Sequence, residues 1–292
     1  MTWVNAVVQG LFLGGLYALF ACGLSLMFGV MRIINLAHGD IAVLGAFGVW
    51  VLVAEAHMSV PLALILVLPA MLVIGYLLQR TVLARSLRGG ELTPLLTTFG
   101  LAIVLQNALL EIFSPDVRSL GPSAGSLATG SWRLTDQLSV PYLGVVILAV
   151  AVAVLGGLQF MLRRTGIGRE MRATAQDPDT AALVGVPAAS VYARATAIAV
   201  AVAALAGAFL AMQSTFDPSS GPTQLIFAFE AVVIGGLGSL WGTLTGGIVL
   251  GVAQTIGAAI DPQYAILAGH LVFLVILAGP RGRFIAVRRA TA

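Results

Sequence analysis

A few polar side chains stand in apolar surroundings that make them expensive, and they set the chemistry this chain can do. The first group lies in GVMRIINLAHGD, residues 29 to 40, where Arg32, Asn35, His38 and Asp40 interrupt two apolar stretches. At membrane depth, polar groups and irregular backbone persist only against protein or a water-filled cavity, which makes this a pathway or hinge element. The same residues also fit a capped cytoplasmic turn. A helical continuation would put Asn35 and His38 on one face, Gly39 would end that helix, and Asp40 would cap the next. The sequence leaves both descriptions open.

The second group lies in FAFEAVVIGGLGSLWGTLTGGIVLG, residues 227 to 251. Glu230 is embedded among apolar residues and must face protein or water. Gly235, Gly236 and Gly238 interrupt the apolar run, freeing backbone groups that a half-helix, a cavity or a substrate must satisfy, unless the glycines only make a tight turn between packed helices. Glu91, Gln106, Asn107 and Glu111 flank or enter another apolar stretch and are further path candidates, with solvation at a helix end as the simpler role for Glu91 and Glu111.

The third group, TGIGREMRATAQDPDTAALVGV over residues 165 to 186, is the longest polar cytoplasmic stretch. Asp177 or Asp179 can cap a short helix with Pro178 in its first turn, and Gly185 and Pro187 stop it. Ala181, Ala182, Leu183 and Val184 would then form a small apolar knob among charges, suited to docking a soluble partner.

Several chemistries are excluded. All fifteen basic residues are Arg and none is Lys, so the chain has neither the P-loop Lys nor a Schiff-base amine. His38 and Asp40 lack companions at metal-ligand spacing, since His57 and His270 are far away in sequence, and no metal site is expected. No GxSxG elbow or HExxH helix is present. The single Cys22 can build no disulfide framework, and a net charge of +3 from clustered Arg is an orientation signal rather than a nucleic-acid footprint.

The elements that must position these residues are membrane spans. With 59% hydrophobic and 9% charged residues and a mean hydropathy of +1.01, the chain lacks the polar surface of a soluble domain. Apolar stretches fall at about 4–29, 40–55, 60–79, 93–112, 141–162, 191–213, 225–237, 240–258 and 263–279. The first lacks an early basic region and is too long for a signal peptide, so it is read as a retained helix. Residues 225–237 are too few for a straight crossing and suggest a broken or re-entrant helix. The expected fold is therefore an all-α polytopic bundle of eight or nine transmembrane helices in a single domain, residues 1–292. Arg80, Arg85 and Arg88, then Arg163, Arg164, Arg169 and Arg172, then Arg281, Arg283, Arg288 and Arg289 mark cytoplasmic ends, which puts 113–140 outside. Nine crossings place the N-terminus outside and the C-terminus inside. The Ala-rich stretch 194–211 belongs inside the bundle, where a thin helix allows close neighbours.

Taken together, GLFLGGLYALFACGLSLMFGVMRIINLAHGDIAVLGAF near the start, GGLGSLWGTLTGG near the end and GREMRATAQDPDTAALVGV between them resemble the bacterial branched-chain amino acid (Liv-type) ABC permeases over nearly the whole chain. The resemblance implies a type II-like importer permease in the bacterial inner membrane that performs no chemistry and holds no cofactor, ATP being used by partner subunits. Those partners would be a second, related permease, two cytoplasmic ATPases and a periplasmic or lipid-anchored binding protein. It makes the cytoplasmic loop of about 163–190 the ATPase contact, with Arg169, Glu170, Arg172, Asp177, Ala181, Leu183 and Gly185 as coupling residues. Asn35, His38, Asp40, Glu230 and the 235–238 turn become candidates for the path or its gates. The solute would be a branched-chain amino acid or another small polar molecule such as urea or a carboxylate. An ion-gradient transporter using Glu230 for coupling is the competing reading, ahead of a membrane enzyme or a scaffold.

Overall fold

The computed structural model describes residues 2–279 apart from 91, 136 and 137. The longer helices are α1 Thr2–Met31, α2 His38–Ala54, α3 Val60–Leu78, α4 Leu92–Phe113, α5 Tyr142–Arg164, α6 Gly166–Gln176, α7 Pro178–Leu183, α8 Ala188–Gln213, α9 Gly221–Gly235, α10 Leu240–Ile260 and α11 Tyr264–Ala278. Each of the nine apolar stretches in the sequence is a helix, α6 and α7 being the two polar additions. Six are long and apolar enough to span a membrane, while α2, α9 and α11 are shorter apolar helices. At about 1.5 Å per residue, the 15-residue α9 reaches only about 22 Å, so the short-helix expectation for this segment holds.

Small residues set the packing, because lipid gives helices little hydrophobic reason to associate and close van der Waals contact must replace it. Gly10 and Gly14 of α1 lie on the backbone of Val252 and Ile248 in α10, while Gly247 and Gly251 return the contact against Gly14, Ala18 and Gly10. Gly45 meets Ala204, and Gly207 meets the Ala42 carbonyl, where α2 crosses α8. As the Ala content predicts, α8 is central, with 89% of its apolar window buried, and α1 follows at 83%. By contrast, α4 is 11% buried and α5 22%.

Two ends are distinguishable. At one, Gln9 of α1 donates to the Ser139 carbonyl at 2.8 Å, the Arg118 guanidinium stacks on Trp50 at the end of α2, and Arg118 and Phe216 exchange backbone hydrogen bonds. The 113–140 segment, expected to be a plain loop, contains an antiparallel hairpin here, β1 Ser131–Thr135 with β2 Leu138–Pro141, braced by Trp132 against Tyr142. At the other end, a π-helical turn at Gln79–Leu83 follows α3, and Arg80 reaches Ser190 at 3.4 Å. The first two Arg clusters therefore share an end, as the nine-crossing arrangement requires. Glu91 and the cluster from Arg281 to Arg289 lie outside the described residues.

Candidate functional site

The connection after α1 turns back into the bundle. Arg32, at φ 57°, reverses the chain immediately after Met31. The Leu36 amide then donates to Thr98 Oγ1 of α4 at 3.1 Å, and His38 Nε2 lies 2.8 Å from the Phe20 carbonyl of α1. Phe20 is eleven residues before the end of α1, or about 16 Å along its axis. Asn35 and His38 are fully buried and Asp40 is 2% exposed, so α2 starts within the protein rather than from a solvated turn. The capping expectation is corrected in detail. Asn35, not Asp40, closes the turn, its Oδ1 accepting from the Ala37 amide at 3.0 Å and its carbonyl from the His38 amide. Gly39 ends no helix; both it and Asp40 are inside the first turn of α2.

Asp40 sits against the first residue of α9. A Cβ at Gly221 would overlap Asp40 Oδ1, and one at Gly39 would overlap the Gly221 carbonyl. The carboxylate thus lies near the amino ends of two helices, whose dipoles favour negative charge. Asp40 Oδ1 and His38 Nδ1 have no hydrogen-bond partner among the described residues.

Glu230, about two and a half turns further along α9, faces protein. Its Oε1 is 2.5 Å from His270 Nδ1 on α11, and its Oε2 is unpartnered among the described residues. Beside them, Tyr17 donates its hydroxyl to Gln254 Oε1 at 2.6 Å, and Phe227 packs between the Tyr17 and His270 rings. The group joins α1, α9, α10 and α11. The sequence reading missed His270, Tyr17 and Gln254. A Gln inside an apolar span is itself a signal, whereas nothing in the chain pairs residue 270 with residue 230.

The glycine interruption is a tight turn held in part by its own backbone. Gly236 and Gly238 take φ of 95° and 82°, the Ser239 amide donates to the Gly236 carbonyl, and Ser239 Oγ caps α10 by accepting from Gly242 N at 3.1 Å. Positive φ is what glycine alone adopts without strain. Gly235 has a different role, packing directly on Gly242 of the returning helix. The turn lies against Gly29 near the end of α1. The path candidates therefore fall in three places: 35–40, Glu230 with His270, and the turn.

The polar loop folds as two helices. Asp177 caps α7, accepting from the Asp179 and Thr180 amides at 3.0 Å each and from the Thr180 hydroxyl. These bonds, led by the Thr180 hydroxyl, hold its carboxyl below the usual carboxylate range. Their contribution is therefore complete above the ordinary carboxylate pKa of about 3.9 and is lost only as pH falls through the lower folded value. Asp177→Ala is expected to speed amide exchange at Asp179 and Thr180 roughly fivefold at pH 7, with no such difference once the wild-type carboxyl is protonated. Equal exchange rates at pH 7 would rule out the cap.

Of the coupling candidates, Glu170 is engaged with Arg194 at 2.6 Å and pins α6 to α8, while Ala181 is buried. Leu183 and Val184 are 87% and 77% exposed, and Gly185 turns the chain away at φ 86°. Arg169 and Arg172 are exposed on α6. The apolar knob thus exists, with Ala181 as its base rather than its tip.

A family model for the permease component of branched-chain amino acid transport systems matches residues 6–278. The chain belongs to this permease family. Among curated proteins, it is 32% identical to the high-affinity branched-chain amino acid transport system permease protein BraD of Pseudomonas aeruginosa, over 96% of this chain and 95% of the relative. It is 28% identical to LivH of Escherichia coli over 96% and 94%, and 29% identical to the fructose import permease FrcC of Rhizobium meliloti over 70% and 58%. The permease is thus the membrane subunit of an ABC importer, working with ATPase and binding-protein partners, and the ion-gradient reading has no support. Its family is one of transport proteins, not an enzyme class.

Proposed function

We propose that this permease carries branched-chain amino acids inward across the bacterial inner membrane, as one of two permease subunits that enclose the path between them. The observation that carries the two-subunit reading is α4. This 22-residue span is the least buried of the six, yet it exposes Asn107 within its apolar length, with Gln106 beside it. An amide facing hydrocarbon is costly, so this face is best covered by another chain or by the water of a path. The relatives named for branched-chain amino acids match nearly end to end, which favours that solute class over the sugar of the partial match.

In this scheme the Arg-rich end and the C-terminus face the cytoplasm, and two ATPases dock on α6 and α7. ATP-driven closure displaces α6, which the Glu170–Arg194 pair couples to α8. The motion reaches α2 through its crossing with α8, shifting Asn35, His38 and Asp40 against α9. The protein itself holds no cofactor and alternates between open states.

The deciding experiment is copurification of the tagged chain from its native membrane, followed by ATPase assays with added binding protein and leucine, isoleucine or valine. Recovered ATPases stimulated by these amino acids establish the reading. ATPases without that stimulation retain the importer and reject the solute. For Glu230, the expectation is that Glu230→Gln lowers uptake about tenfold at normal expression, through a change of about 1.4 kcal/mol in the alternating equilibrium. Unchanged uptake would remove Glu230 from the path or its gates.

A further inference from the structure

Between the last turns of α1, the end of α5, α6 and the turn before α10 lies a cavity of about 230 Å³ that no role above uses. Leu26, Leu162 and Leu240 give it apolar walls, and Arg163 and Arg172 supply positive charge. No carboxylate among the described residues forms an ion pair with either arginine, the ion pairs there being 116 with 118, 170 with 194 and 230 with 270. Gln159, with its amide oxygen turned toward Arg163, accepts from Nη2 at 3.2 Å and steers that guanidinium. Ser25 also lines the cavity. It is 1% exposed, and its Oγ has no partner among the described residues, not even the carbonyl one turn back.

A buried hydroxyl left unpaired is costly, and two guanidinium forks at the open rim, both exposed and without a paired carboxylate, are placed to take an anion over it. Guanidinium geometry matches the oxygens of a phosphate, and a hydroxyl donor completes that set. The apolar walls further suit a ligand whose body is greasy and whose head is charged. We propose that this cavity binds a phosphate group, presented by an anionic phospholipid of the cytoplasmic leaflet, with free inorganic phosphate as the other source of the same chemistry. Basic pockets between spans at this side of the membrane hold anionic headgroups by the same physics. Because Arg172 belongs to α6 and Gly238 to the turn before α10, an occupant would tie the ATPase-facing helix to the membrane bundle. That consequence rests on the functional reading above; binding itself does not.

The test uses the full chain, purified with the subunits that accompany it in mild detergent and stripped of lipid. Phosphatidylglycerol or phosphatidylcholine is added back, and the lipid bound per chain is counted by native mass spectrometry. The expected result is a preference for phosphatidylglycerol that falls about tenfold in Arg163→Gln, the loss of one charge-assisted hydrogen bond, and several-fold in Ser25→Ala. Phosphatidylcholine binding should not change. Displacement of phosphatidylglycerol by millimolar inorganic phosphate, with the same dependence on Arg163, would assign the site to the free anion. Resistance to displacement assigns it to the lipid. If both variants retain phosphatidylglycerol like the wild type and inorganic phosphate does not bind, the proposal is overturned.

Discussion

Gly246→Val is expected to abolish the folded permease, while Gly100→Val leaves it intact. Both glycines lie inside apolar helices, so their helix propensities change alike. Their surroundings differ. A Cβ at Gly246 would overlap the Ala231 carbonyl and crowd the Gly235 amide, both backbone atoms of α9 that cannot rotate away. At Gly100 nothing lies within 4 Å of that position. Overpacking a close helix contact costs about 1–3 kcal/mol where side chains can adjust and more where backbone must move. The Gly246 variant should therefore exceed about 3 kcal/mol, against under about 0.5 kcal/mol for the Gly100 control. Monodisperse yield and thermal unfolding in detergent measure both. Similar midpoints would mean that the α9–α10 hairpin does not close on glycine contacts.

The second large effect is expected at the cytoplasmic knob. Leu183→Asp should weaken ATPase docking by about thirtyfold or more, corresponding to a hot-spot loss of about 2 kcal/mol. A side chain 87% exposed makes few contacts within its own chain, so the unfolding midpoint should stay within error of the wild type. Pull-down of the ATPases and substrate-stimulated hydrolysis read out the loss. Normal docking with Leu183→Asp would move the interface elsewhere on α6 and α7, with Arg169 and Arg172 as the next positions to reverse.

The glycines at 246 and 100 illustrate how far the sequence reaches. Hydropathy places both in membrane helices, yet only the fold distinguishes the one that meets backbone from the one that meets nothing of its own chain. Much else was legible. Nine apolar stretches became nine helices because hydrophobic length is a local property that no distant contact alters. The cap at Asp177 was equally local, since a carboxylate bonds amides two and three residues away. The knob at Leu183 and Val184 followed from the stop at Gly185.

What stayed hidden depends on residues far apart in the chain. The Asp40 helix cap was a sound local expectation, but the hydrogen bonds of Leu36 with Thr98 and of His38 with Phe20 start α2 three residues earlier and carry the segment into the bundle. Glu230 was recognisable as an embedded charge, whereas its pairing with His270 required α9 and α11 to lie side by side. The sequence by itself determined that this is a multi-span membrane protein, where it turns and which loop is polar, because those are questions of hydropathy, charge and capping over a few residues. Tertiary structure alone decided which polar side chains meet, since in a membrane those meetings are set by how closely small residues let one backbone approach another.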